Sequence, residues 1–548
     1  MFIRVVLALA LSAPPSATPA QADPSPCPVP VPARTVCGFL EVPERREAPG
    51  RTIKVAYAVR HSLARDRRPD PVVFMGGGPG APSMRHLERL TRVFPDRDVV
   101  TVEQRGGAWS RPALACPETA QALLGRLREP PSDVGAAAAR CRDRLAGQGV
   151  DLRGYRTGEI VADVVALRSK LGYETWNLLG TGYSARVMAA VAAADPAGTR
   201  SVVLGSYPPP GDGADDPAAV MAGLGARDAF ERAVARLNAR PARVSAVDPL
   251  LGREFTARVR GDDLAALLGV ALRDAGTAAV APALVSALAE GDDALLRPLV
   301  ERLGDELAAR EAGLYHAVRC QDGRPPAASR LFTVAADKAV CDAWNLSEAP
   351  EPAALSTATL KAPVYVLAGR RDPAASPVTL LGARVDRSHS VLAADDCARR
   401  KVAAFVADPA APPSGPCPEA RPVELRVTAA PYEIAKTPWL AVPFALFAAA
   451  CLIQLVTAAL KGLALPAFGG LSGLAFAGLT GQAVWELAAS NASALTVGVP
   501  AIIEWYAWLA VVSVVLTLAA LLHNRRWPQI TAAAIGAGFL VWWFTWVL

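Results

Sequence analysis

Although the sequence has nine cysteines, it contains no Cys-x-x-Cys pair. The commonest zinc-ligand spacing is missing, so no metal or other cofactor is expected. Charge is also sparse: only 20% of the 548 residues are Asp, Glu, Lys or Arg, and the net charge is +6. So small and scattered an excess is not the basic stripe of a nucleic-acid binder. No repeat period of roughly 20–50 residues stands out, which argues against a solenoid or propeller. The glycine run Gly76–Gly80 lacks the Lys-Ser/Thr of a phosphate loop, so nucleoside triphosphate binding is not expected either.

Apolar residues, by contrast, are abundant, at 52% with a mean hydropathy of +0.24. Such a chain is neither disordered nor purely solvated, and membrane segments are expected. Arg4, the apolar run Val5–Leu11 and the small-x-small site Ala20-Gln21-Ala22 read as a signal peptide over residues 1–22. Cysteine usage agrees with export. Eight cysteines form four local pairs before residue 420, as a disulfide framework would, and Cys451 lies in an apolar run. Spacing leaves connectivity open; neighbour pairing (27–37, 116–141, 320–341, 397–417) is the expected scheme.

Four apolar stretches, Trp439–Leu460, Ala464–Ala488, Val497–Leu522 and Gln529–Leu548, each reach the roughly 20 residues a membrane helix needs. Lys461 follows the first, and Arg525 and Arg526 follow the third, whereas the loop after the second carries no charge. Positive loops face the cytoplasm, so the expectation is a multi-pass cell-membrane protein with everything before residue 439 on the extracytoplasmic side. Glu486 and Glu504 fall near the outer span ends; they read as interfacial residues, with a binding role as the alternative.

Before the spans, strand-like and helical segments alternate over residues 37–210. Thr52–Arg60, Pro71–Met75, Asp98–Glu103, Thr175–Leu179 and Ser201–Gly205 read as strands, and Gly158–Leu171 and Ala185–Ala194 as helices. Such alternation predicts a parallel sheet covered on both faces, with ligands at the carboxyl ends of its strands. Residues 211–355 have helical spacing and read as a mostly helical cap. Residues 363–368 return to a strand, and Lys401–Val406 reads as a closing helix. The expected organisation is α/β: core 23–210, cap 211–355, core 356–418, a Pro-rich linker 419–438, then an all-α membrane segment 439–548.

Four motifs follow strands in order: Gly76-Gly77-Gly78-Pro79-Gly80, Glu103-Gln104-Arg105-Gly106, Leu179-Gly180-Thr181-Gly182-Tyr183-Ser184-Ala185-Arg186 and Gly369-Arg370-Arg371-Asp372-Pro373. His389 comes next, then the Cys397…Cys417 segment. Over roughly residues 35–418 this set resembles the secreted tripeptidyl and prolyl aminopeptidases, an α/β-hydrolase family common in high-GC Gram-positive bacteria. The resemblance implies nucleophilic acyl transfer from a Ser at a strand-to-helix elbow, with a His as base, an Asp orienting it and two backbone N–H groups facing the oxyanion. It makes Asp372 the orienting acid, His389 the base, and Gly78 and Tyr183 the N–H donors.

The chain departs from that pattern at the nucleophile. Tyr183 and Arg186 set a register in which Gly182 stands where the family has Ser, and glycine has no side chain to attack with. Ser184, two residues on, is the candidate substitute. Glu103 also replaces an expected Asp, in a turn that reads as structural. Gly180-Thr-Gly182-Tyr-Ser-Ala185 matches a dinucleotide fingerprint too, but no acid follows the next strand. His61, His86 and His316 show no partner pattern, and His523 reads as interfacial. The leading expectation is a catalytically impaired hydrolase that binds a peptide or acyl small molecule in its cleft and sits in the lipid bilayer. One alternative is a working hydrolase using Ser184 or a water activated by His389. Another is a membrane interaction protein with the hydrolase fold as scaffold.

Overall fold

The computed structural model describes residues 26–207, 217–323, 325, 329, 331–349, 360–369, 382–385, 396–415, 417, 424–523 and 527–548. The signal-peptide reading over residues 1–22 lies outside the described residues, as do Asp372 and His389.

The strands are β1 (Thr35–Pro43), β2 (Thr52–Arg60), β3 (Arg68–Met75), β4 (Arg97–Val102), β5 (Trp176–Thr181), β6 (Thr199–Gly205), β7 (Ala242–Asp248), β8 (Arg253–Val259), β9 (Val364–Gly369), β10 (Gly382–Val385), β11 (Leu425–Val427) and β12 (Gly498–Pro500). Eight of them form one sheet in the order β1-β2-β4-β3-β5-β6-β9-β10. Pairing is antiparallel at β1–β2 and β2–β4 and parallel in the rest of the sheet. Only β2 therefore runs against the others. The physical basis is the run of β-branched residues: Val72, Val73, Val99, Val100, Val202 and Val203 have no exposed surface, and their side chains point alternately to the two faces. A sheet apolar on both faces requires helices on both sides.

The block after β6 carries helices Pro217–Gly223, Arg227–Ala239, Gly261–Ala271, Ala275–Glu290, Leu296–Ala309, Ala312–Asp322 and Phe332–Trp344. It also holds the antiparallel hairpin β7–β8, which helical spacing did not suggest. The period-2 signal was there: Ala242, Val244 and Ala246 are buried between exposed Arg243 and Ser245. All four neighbour cysteine pairs form disulfides, and Cys451 is free and buried.

Residues 419–438 were expected to be a linker, and their described part corrects this. β11 pairs with β12, which follows the second long apolar helix. Ala430–Lys436 is a helix, and Pro431 and Pro438 open short helical elements, where a missing N–H costs nothing. Proline here marks helix starts rather than a tether. This helix is docked on the cap through Arg297–Glu433 at 2.8 Å, Lys436–Glu301 at 2.7 Å and a Tyr432–Glu301 hydrogen bond.

Among the described residues, four helices are long and apolar enough to cross a membrane: Pro438–Leu460, Ala464–Thr496, Ile503–Leu522 and Gln529–Val547. Glu504 pairs with Arg426 of β11 at 3.3 Å, and Glu486 accepts from the Gln482 amide at 2.9 Å. Both carboxylates thus have side-chain partners.

Candidate functional site

The carboxyl ends of β3, β4, β5 and β6 converge on one site. β5 passes into the helix Tyr183–Ala194 through a single residue, Gly182, with φ 57° and ψ −131°. Positive φ favours glycine strongly and strains other residues. The turn is held by Gly182 N donating to Gly205 O at 2.9 Å, and by Ala185 N donating to Gly182 O at 2.9 Å. Two residues earlier, a Cβ on Gly180 would collide with the Ser184 carbonyl, so the strand needs glycine where the helix folds back over it.

The glycine loop after β3 lies beside this elbow. Gly78 has φ 95° and Gly80 φ 84°, and Gly78–Pro79 is cis. Each loop amide with a side-chain acceptor is held by a neighbour: Gly76 N donates to Ser83 Oγ at 3.0 Å, Gly77 N to Thr181 Oγ1 at 3.2 Å and Gly80 N to Gln104 Oε1 at 2.8 Å. A Cβ on Gly78 would sit 2.6 Å from Gln104 Nε2. From the cap, Glu311 N donates to Gly80 O at 3.0 Å.

Gln104 and Glu103 thus brace the loop from β4. Glu103 accepts from Ser83 N at 2.9 Å and Met84 N at 2.8 Å. Burial raises its carboxyl from about 4.5 to about 7, against the pull of those two amides. Arg105 is fully buried and grips Asp163 at 2.6 and 2.7 Å, with the Glu44 and Gly154 carbonyls on its other amine. The Glu-Gln-Arg-Gly turn is therefore scaffolding for the glycine loop and its surroundings.

Ser184 is fully buried one position inside the helix. Its hydroxyl lies 2.8 Å from Gly76 O and 2.7 Å from Gly77 O and accepts from Gln104 Nε2 at 3.2 Å. It ties the helix to the back of the glycine loop. Tyr183 places its hydroxyl 2.5 Å from Thr157 Oγ1, and Thr157 bonds in turn to Asp322 of the cap. Burial holds the Tyr183 phenol well above its usual range.

The other histidines sort by environment. His61 Nδ1 lies 3.0 Å from Asp98, which Tyr173 also contacts at 2.9 Å. No local signal pointed to this pair, because its members are 37 residues apart, His61 just after β2 and Asp98 in β4. Asp98 is the second residue of β4, so the pair sits at the end of the sheet opposite the elbow. His316 is fully buried between Tyr315 and Trp344, and burial lowers it to about 3, keeping it neutral. His86 packs edge-on against Phe74 and is lowered by burial and nearby Arg89.

A cavity of about 1050 Å³ joins these parts. Gly77, Gly78, Gly182 and Tyr183 line it, as do apolar and charged side chains of the cap and Tyr432, Lys436, Thr496 and Val497. No group of three or more potential metal ligands occurs among the described residues.

No protein-family model matches the chain. Serine protease Hip1 of Mycobacterium tuberculosis (strain H37Rv) is 27% identical over 471 residues, covering 69% of this chain and 86% of that protein. Hip1 of Mycobacterium bovis matches to the same extent. Among solved structures, proline iminopeptidase of Mycobacterium smegmatis overlaps 68% of this chain and 98% of its own, at a TM-score of 0.34 and 14% identity. Epoxide hydrolase A of Mycobacterium thermoresistibile overlaps 68% and 99%, at 0.32 and 15%.

Proposed function

We propose that this chain, a peptidase-like α/β-hydrolase-fold protein with four apolar helices, is a multi-pass membrane protein whose extracytoplasmic cleft binds peptide or acyl ligands without cleaving them efficiently. One observation carries the reading: the residue at the elbow tip, at φ 57°, is Gly182. The elbow geometry that elsewhere presents a nucleophile presents here a bare backbone. The second candidate hydroxyl does not replace it, because Ser184 faces the Gly76 and Gly77 carbonyls instead of the cavity. The glycine loop, its Gln104 brace and the Tyr183 amide remain as a cradle for a carbonyl oxygen.

The test is a side-by-side assay of the full chain and its Gly182→Ser and His389→Ala variants on aminoacyl and tripeptidyl chromogenic substrates and short esters. The unaltered chain is expected to be silent. Gly182→Ser is expected to turn over substrate, since a missing Ser elsewhere costs of order 10⁶ in rate. Serine at this φ costs about 1–3 kcal/mol, which a folded domain tolerates. Turnover in the unaltered chain that disappears with His389→Ala would overturn the reading and favour a water activated by His389.

A further inference from the structure

The cavity reaches from the elbow to the segments that enter the four apolar helices. Lys436 lies two residues before the first candidate span, Pro438–Leu460, and Thr496 ends the second, Ala464–Thr496. Both line the same space as Gly182. The lining between them is mixed: Leu284, Leu295, Leu299 and Leu303 of the cap contribute apolar surface beside charged Arg273, Arg302 and Glu306. This juncture is built, not incidental. Besides the Arg297–Glu433 and Lys436–Glu301 pairs, Asn491 Nδ2 donates to Gly276 O at 3.1 Å, and Leu487, Ala494 and Val497 belong to the same buried cluster as the cap leucines. Trp439 and Trp505, at 70% and 73% exposed, stand just beyond this juncture. Exposed tryptophans at span ends settle at the headgroup level, which puts the bilayer surface at this end of the cavity.

A ligand site sealed from the membrane would need none of this. The volume also lies at the top of the roughly 300–1,000 Å³ range of small-molecule pockets. We infer that the cleft opens toward the outer leaflet and takes a long-chain acyl amphiphile from it, the chain along the cap leucines and the polar end at Gly78 and Gly182. This deepens the binding reading above and rests on it. Burial of the chain against these leucines favours long acyl groups by about fourfold per methylene, so a short-chain analogue is a poor ligand.

The experiment uses the full chain in nanodiscs of phosphatidylcholine and phosphatidylglycerol. Two photoprobes are applied separately: a palmitoyl ester with a diazirine on its chain, and a tripeptide with a benzophenone side chain. Crosslinks are mapped by mass spectrometry. The palmitoyl probe is expected to label peptides containing Leu284–Leu303 and Thr496–Val497, and an acetyl analogue is expected not to compete. Thr496→Trp, at the half-exposed rim, is expected to reduce cap labelling at least about tenfold while leaving labelling of the outward faces of the spans unchanged. Leu299→Trp, which narrows the wall, is expected to do the same, and an unchanged melting transition certifies that each variant is folded. Palmitoyl labelling confined to the outward faces of the spans, with the tripeptide crosslinking near Gly182, would overturn the membrane route and leave the binding reading standing. No labelling of the cleft by either probe would overturn both. Cap labelling that Thr496→Trp and Leu299→Trp both leave intact would also overturn the route.

Discussion

In the sheet, Val72, Val100 and Val203 are sealed completely, whereas in the four-helix region Leu460, Leu522 and Trp485 face outward at 83%, 81% and 75% exposure. The two regions invert the placement of apolar mass, and their adhesives differ accordingly. The α/β core gains from removing apolar surface from water, and can therefore enclose a charged network: Arg105, Asp163, Glu159 and Arg46. Helices that cross a bilayer cannot gain that way. The four here meet through small residues at Gly469, Gly470 and Gly473, and through Gln454, whose amide donates to Thr517 Oγ1 at 2.9 Å and Pro466 O at 3.1 Å. Phe447 and Phe539 stack at 4.2 Å in the same interior. Buried charge in one region and buried glycine in the other answer the same question about what surrounds the element.

Substitutions can break this contrast. The largest effect is expected from Arg105→Met, which strands Asp163 with one of its three side-chain hydrogen bonds in a sealed interior. Removing one partner of a buried pair costs about 3–5 kcal/mol, to be read as a shift of the denaturant midpoint of the detergent-solubilised chain. A loss under about 1 kcal/mol would show that Arg46 suffices and that the network is redundant.

Glu103→Gln should have the next largest effect, and a pH signature. The folded carboxyl sits at about 7, above its ordinary 4.5. The native state therefore holds its proton more tightly than the unfolded chain. The associated stability is fully present below about pH 4.5, declines as pH rises toward about 7, and is level beyond it. The span corresponds to about 3 kcal/mol. The introduced amide cannot titrate, so thermal melts across pH 4 to 8 should lose this slope in the variant; an unchanged slope would assign it to other groups.

The smallest effect is expected at Gln454→Leu. Hydrogen bonds between membrane helices average about 0.6 kcal/mol and reach about 1.7, so this bundle should barely notice. A loss as large as that of Arg105→Met would erase the distinction between the two regions.

Much of this architecture was legible along the chain. β2 occupies Thr52–Arg60, the alternating segment read as a strand, and the four apolar helices fall where runs of about 20 apolar residues had indicated. Gly180 and Gly182 marked the elbow, the first because a side chain there would meet the Ser184 carbonyl and the second because its φ is positive. Neighbouring cysteines paired because local disulfides close short loops of 10 to 25 residues. All of these depend on backbone preference and periodicity within a window of a few turns. What Ser184 does was not legible. Its hydroxyl meets carbonyls 107 and 108 residues earlier, and only the packing of β3 against β5 brings them within reach. The same holds for Glu103, whose acceptor role needs the loop after β3, and for β11, whose partner β12 lies beyond two long helices. The docking of the cap on the segments that enter the apolar helices also came from packing. Local sequence sets dihedrals and faces; which distant faces meet is set by the mutual burial of whole elements, and no single window of the chain contains it.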